Sequence, residues 1–114
     1  MMPKYKRGDI VKVPYPYSDD FSQSKIRPAI IVSNDISNNL DNDYLVAPIT
    51  SLIRRTSFSF IIDNKDLTNP LPLNSEIRCN KITTMRQSLI LGKISFLKIE
   101  KQEELSEKIY TCIK

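Results

Sequence analysis

Gly8-Asp9-Ile10-Val11-Lys12-Val13-Pro14-Tyr15, Lys25-Ile26-Arg27-Pro28-Ala29-Ile30-Ile31-Val32 and Tyr44-Leu45-Val46-Ala47-Pro48-Ile49-Thr50-Ser51 decide the fold. Each is a short run rich in β-branched residues, and each is bounded by turn-forming or polar residues. Residues 28–32 and 44–50 are almost continuously apolar, the pattern of strands buried on both faces. Two positions stand out. Arg27 precedes a proline at the mouth of an apolar strand, where the backbone is held extended. Thr50 and Ser51 end the next apolar strand with hydroxyls.

Gly8-Asp9 reads as a turn and Ile10 to Tyr15 as the first strand. Pro14 and Pro16 cannot donate to a ladder, so that strand ends there or lies at an edge. Tyr17 to Lys25 is polar and reads as a loop. Ser33 to Asp43 reads as a connection with a helical turn at 36–40. Ser57 to Asp63 alternates, with Phe58, Phe60 and Ile62 on one face. Glu76 to Thr84 reads as one strand whose apolar parity slips, which a one-residue bulge near Asn80–Lys81 would restore. Gly92 breaks the chain before a last strand at 93–97. Leu105, Ile109, Cys112 and Ile113 form the apolar stripe of a terminal helix starting near Glu100, with Glu104 and Lys108 as an i,i+4 pair. The expected fold is a mainly β single domain over residues 1–114, a small barrel with short helices and a C-terminal helix.

The 114 residues are 40% hydrophobic and 26% charged, in the range of a folded globular domain. Seventeen Lys+Arg against 13 Asp+Glu give a net charge of +4, compatible with a nucleic-acid partner. The first residues have no apolar core of a signal peptide, and no run approaches membrane-spanning length. A cytoplasmic protein with no membrane association is expected. The two cysteines, Cys79 and Cys112, lie among apolar neighbours and read as buried free thiols.

Histidine is absent, which removes the commonest general base and His-bearing metal sites. Gly8 and Gly92 are the only glycines, so there is no glycine-rich phosphate loop. No metal or cofactor is expected. Arg27 can hold a phosphate through two parallel hydrogen bonds, or pair structurally with an acid such as Asp9 or Asp35. Thr50 can hydrogen-bond a reacting group, or serve as an ordinary strand-end hydroxyl. Arg54, Arg55, Lys81 and Arg86 can extend a phosphate-binding surface or remain solvated charges. Tyr15, Tyr17 and Phe21 are the candidate base-stacking aromatics.

Gly8-Asp9-Ile10-Val11, Ile26-Arg27-Pro28-Ala29-Ile30-Ile31-Val32, Asn34-Asp35 and Pro48-Ile49-Thr50-Ser51 together resemble the MazF/PemK family. Lys81-Ile82-Thr83-Thr84 and Gly92-Lys93-Ile94 extend the resemblance over nearly the whole chain. The resemblance implies an SH3-like β-barrel of the CcdB/MazF/PemK type that acts as a homodimer. It implies a toxin of a type II toxin–antitoxin system that cuts single-stranded RNA without a metal, by attack of the 2′-hydroxyl. The products would be a 2′,3′-cyclic phosphate and a 5′-hydroxyl. The partner implied is a cognate antitoxin with an acidic disordered segment. The resemblance implies catalysis by Arg27 and Thr50; Gln23, Ser51, Arg54, Arg55 and Lys81 are the candidate RNA-binding residues.

The chain departs from the family pattern in two places. Some members carry Glu before the Gln of the first loop, proposed as a base, where this chain has Ser22. Many read Arg-Thr-Ile-Asp late in the sheet, where this chain has Thr83-Thr84-Met85-Arg86. The roles of those residues do not transfer, and Asp19 or Asp20 is the candidate base. A non-catalytic barrel, either a degenerate toxin or a gyrase-poison-like relative, is the alternative reading.

Overall fold

A computed structural model describes residues 4–17 and 20–114, with side chains described outside residues 16–24. Seven strands and two helices follow in order. They are β1 (Asp9–Tyr17), β2 (Asp20–Ile31), α1 (Asp35–Asp41), β3 (Asp43–Thr50), β4 (Ser59–Ile62), β5 (Ser75–Arg78), β6 (Thr83–Arg86), β7 (Gly92–Phe96) and α2 (Ile99–Tyr110). The strands form one curled antiparallel sheet in the order β4-β5-β3-β2-β1-β7, with β6 also paired to β3. The mainly β barrel-like expectation is borne out.

The continuous apolar runs are explained by two cores, one on each side of the sheet. Side chains alternate across a strand. Ile10, Ile30, Ala47 and Ile49 therefore enter one cluster, closed by Ile77, Leu97 and Leu105. Val11, Val13, Ala29, Ile31 and Val46 enter the other, closed by Tyr5, Met85 and Ile90. Strands that serve two cores have no polar face to alternate with. Phe58 and Phe60 pack against the first cluster as expected. Cys79 is buried there and Cys112 half-buried beside it, both as free thiols.

Gly8 explains the turn before β1. Its φ is +94°, and a Cβ there would lie 2.0 Å from the Gln102 amide nitrogen. That amide is buried and donates to the Leu97 carbonyl at 2.6 Å. Glycine is needed for both the backbone angle and the close approach of α2.

Four expectations are corrected. The segment from Tyr17 to Lys25 is not simply a loop, because β1 runs to Tyr17 and β2 begins at Asp20. Backbone pairing needs no apolar side chains, so composition conceals it. β1 continues through both prolines, in keeping with the edge alternative. Among the described residues β7 pairs only with Asp9–Lys12, so Pro14 and Pro16 sit where β1 is an open edge.

The segment 76–84 is two strands rather than one bulged strand. β5 pairs with Ile49 and Thr50, β6 with Asp43–Val46, and a turn at Cys79–Asn80 separates them. The parity slip marks that turn. Ile113 lies beyond the end of α2 and is exposed, so it is no part of the buried stripe. Finally, Glu104 pairs with Lys101 at 3.1 Å, while Lys108 donates to the Ser59 carbonyl at 3.1 Å.

Candidate active site

Arg27 and Thr50 come together at one end of the sheet. The β2–β3 ladder matches Ala29 with Pro48, Ile30 with Ala47 and Ile31 with Val46. Arg27 lies two residues before Ala29 and Thr50 two after Pro48, so this register carries them side by side on one face. Both are half-buried. They line a shallow groove of about 260 Å³ with Lys25, Ser51, Leu71 and Leu73 among its walls. The described lining holds two cations, Lys25 and Arg27, and no carboxylate. A groove of that charge attracts a phosphate rather than a cation.

The acids that offered Arg27 a structural partner are engaged or located elsewhere. Asp9 is buried and pairs with Lys93 at 3.1 Å. Asp35 opens α1 and lines a separate cavity with Lys4 and Lys6. That cavity is larger, at about 630 Å³, and contains neither Arg27 nor Thr50. Its size is no argument for chemistry, since its lysines share the space with two aspartates. Among the described residues, Arg27 has no ion-pair partner.

Thr50 Oγ1 accepts a hydrogen bond from the Leu52 backbone N–H at 3.1 Å. One lone pair is thereby used and the hydroxyl proton is left to donate. Arg54 and Arg55 follow on an exposed loop, and Arg55 has a φ of +52°. Lys81 is exposed in the turn between β5 and β6 and does not line the groove. Arg86 is beside Asp43 at 4.0 Å, at the other end of β3.

Asp19 lies outside the described residues. Asp20 and Gln23 belong to β2, but their side chains are outside the described set. The same holds for Tyr17 and Phe21. Tyr15 is not a free stacking platform. It packs against the second core and its hydroxyl donates to the Val46 carbonyl at 3.4 Å, and burial pushes its phenol pKa upward.

Sequence reasoning missed Glu76. This residue pairs with Thr50 across the β3–β5 ladder and is fully buried. Its Oε1 accepts from the backbone N–H groups of Arg54 at 2.9 Å and Arg55 at 3.2 Å. Its Oε2 accepts from Ser59 Oγ at 2.8 Å and Arg78 Nε at 3.1 Å. Burial alone pushes this carboxyl up. The Arg54, Ser59 and Arg55 hydrogen bonds and the Arg78 charge together outweigh burial and hold it below the usual carboxylate range. The available signal was Glu76 and Arg78 at i,i+2 on one strand, which places them on the same face.

Residues 6–113 match the family model described as PemK-like, MazF-like toxin of type II toxin-antitoxin system. Endoribonuclease MazF of Staphylococcus saprophyticus is 25% identical over 104 residues, covering 91% of this chain and 87% of that protein. The fold is similar to that of an endoribonuclease solved with its cognate antitoxin from a mycobacterial species. That match has a TM-score of 0.78 at 16% identity and covers 96% of this chain and 94% of the other. It is also similar to the MazE–MazF structure from Deinococcus radiodurans, with a TM-score of 0.74 at 14% identity and 94% of each chain covered. With its fold and nearly its whole length accounted for, the chain belongs to the PemK-like, MazF-like toxin family of type II toxin–antitoxin systems.

Proposed function

We propose that this chain is an endoribonuclease toxin, a single domain over residues 1–114 that cuts single-stranded RNA at the Arg27–Thr50 groove. The observation that carries the reading is the composition of that groove. A guanidinium, a donating hydroxyl and a second cation stand together with no carboxylate among the described lining residues.

RNA brings its own nucleophile. The 2′-oxygen forms a bond to the adjacent phosphorus, and the bond from phosphorus to the 5′-oxygen breaks. Arg27 neutralises the charge that builds on the phosphorane, and Thr50 donates to a non-bridging oxygen. The proton of the 2′-hydroxyl passes to a base, for which Asp19 or Asp20 is the candidate. The leaving 5′-oxygen takes up a proton from water. The products are a 2′,3′-cyclic phosphate and a 5′-hydroxyl. Arg27 and Lys25 supply positive charge at the phosphate, the service a divalent cation gives elsewhere. Gln23, Ser51, Arg54, Arg55 and Lys81 are the remaining RNA-contact candidates.

The partners in this reading are a second copy of the chain and a cognate antitoxin whose acidic segment competes with RNA for the cationic groove. Homodimerisation is supported by exposed Leu45, Tyr110 and Ile113, which line one apolar groove of about 440 Å³. No helix among the described residues is long and apolar enough to cross a membrane. Action in the cytoplasm, where mRNA is, completes the reading. Incubation of the purified protein with defined single-stranded RNAs in EDTA tests it. Cleavage with cyclic-phosphate ends is expected, whereas RNA binding without any cut would leave only the binding-module alternative.

A further inference from the structure

We propose that Glu76 is a positioning residue for RNA binding, a buried strap that holds the arginine loop beside the groove. The proposal rests on the reading of that groove as an RNA site. It concerns a residue that never touches RNA itself.

The loop from Ser51 to Phe58 joins β3 to β4 and carries Arg54 and Arg55 as exposed side chains. An exposed loop bearing two adjacent guanidiniums is self-repelling and, unsupported, pays the entropy of being ordered. Here it is ordered from beneath. Two successive backbone N–H groups, from Arg54 and Arg55, converge on the single oxygen Oε1 of Glu76. Convergent N–H groups of this kind form a cradle for an anion, and the anion here belongs to the protein. The left-handed backbone of Arg55 is a conformation non-glycine residues enter only when neighbours enforce it.

The other oxygen fixes the rest of the loop. Oε2 takes the Ser59 hydroxyl and the Arg78 guanidinium. Arg78 Nη2 in turn donates to the Leu52 carbonyl at 3.1 Å, and the Leu52 N–H donates to Thr50 Oγ1. A continuous chain of hydrogen bonds thus runs from the groove hydroxyl through the loop to one buried carboxylate. Four donors meet two oxygens, so no neutral group of the same shape replaces it. A glutamine offers one acceptor oxygen and brings two further N–H groups into the cluster.

Binding of a short mixed-sequence single-stranded RNA, deoxy-substituted so that it cannot be cut, is measured against salt for four proteins. These are the parent, Glu76→Gln, Arg54→Ala/Arg55→Ala, and the triple variant. With Glu76→Gln, affinity is expected to fall about tenfold. The log–log salt slope should shrink by about 0.7 for each phosphate that is no longer neutralised, up to about 1.4 for both arginines. In the Arg54→Ala/Arg55→Ala background the same change should add little further loss.

Arg78→Lys keeps a cation beside Glu76 but loses the bond to Leu52, and serves if Glu76→Gln does not fold. It should weaken binding by a smaller factor, with the same dependence on the two arginines. Unchanged affinity and slope in a folded Glu76→Gln or Arg78→Lys, or losses fully additive with those of the double variant, would overturn the proposal. Absence of cleavage in the parent on ordinary RNA is a separate outcome and counts against the reading of the groove. Absence of RNA binding by the parent overturns both.

Discussion

Thr50 and Glu76 face each other on one rung of the β3–β5 ladder. The hydroxyl that lines the groove and the carboxylate that orders the arginine loop are therefore fixed by the same pair of backbone strands. A change in the pairing of β3 with β5 moves both together. Groove chemistry and loop presentation are mechanically one unit, although one residue touches the groove and the other is sealed from solvent.

Replacing Arg27 tests the groove most directly. Arg27→Ala is expected to cut the rate of RNA cleavage by roughly 10²–10³, or about 3–4 kcal/mol, the usual cost of losing one donor to a developing anion. Arg27→Lys keeps the charge without the two-pronged geometry and should recover only part of the rate. Thr50→Ala should lose less than Arg27→Ala, since it removes a neutral hydrogen bond, and Thr50→Ser should be close to the parent. Single-turnover cleavage rates, with circular dichroism to check folding, decide the order. Full activity in folded Arg27→Ala would move the site elsewhere.

The nucleophile is tested on the substrate. An RNA whose nucleotide on the 5′ side of the cut lacks its 2′-hydroxyl should bind normally and resist cleavage. Cleavage of ordinary RNA should continue at an undiminished rate in EDTA. Mass spectrometry of the fragments should find a 2′,3′-cyclic phosphate and a 5′-hydroxyl. Cutting of the deoxy-substituted RNA at the normal position would rule out 2′-hydroxyl attack.

Acid should unfold this protein in part through Glu76. Its carboxyl is held lower in the folded chain than in the unfolded one. The stability it contributes is fully present above the unfolded value, near about 4.3, and is lost as pH falls through the folded value. Asp66, held low by the Lys98 ammonium at 2.8 Å, acts with the same sign. Denaturant midpoints of the parent should therefore fall more steeply below about pH 5 than those of Glu76→Gln, which retains only the Asp66 part. Parallel curves for the two proteins would be inconsistent with a depressed Glu76.

Gly8→Ala should destabilise the fold by about 1–2 kcal/mol from the backbone angle alone. The Gln102 amide must also yield, and it is held by bonds to the Leu97 carbonyl and from the Arg7 guanidinium. Thermal melts of Gly8→Ala and Gly8→Ala/Gln102→Ala separate the two costs. The second substitution should relieve the contact but not the angle.

What the sequence makes legible follows from where cores lie. Ile10-Val11, Ala29-Ile30-Ile31 and Val46-Ala47 feed two clusters at once, so their uninterrupted apolar character reads directly as strand. The polar residues from Asp20 to Ser24 conceal paired backbone, because hydrogen-bond ladders leave no mark on composition. The break at Cys79–Asn80 does leave a mark, as a parity slip, but a bulge and a turn give the same slip when partners are unknown. Arg27 and Thr50 are legible through the family resemblance and meet where the register brings them. Glu76 is not, because a charged residue in a strand ordinarily faces water, and only the loop folding back over it makes it buried.

The turn at Gly8 has a consequence for the order of events during synthesis. Gly8 is bonded to Ile31 and to Leu97, and β1 needs β7 as its second neighbour. Arg27 and Thr50 leave the ribosome well before Leu97 and Leu105, and the first core stays open until those two arrive. Contacts of such long sequence separation are slow to form. A cell making this chain therefore gains an interval in which the groove residues exist and the framework that aligns them does not. In a translation arrested before Ile99, the tethered chain is expected to remain protease-sensitive and without RNA cleavage. Release of the same chain through residue 114 should restore both protection and activity.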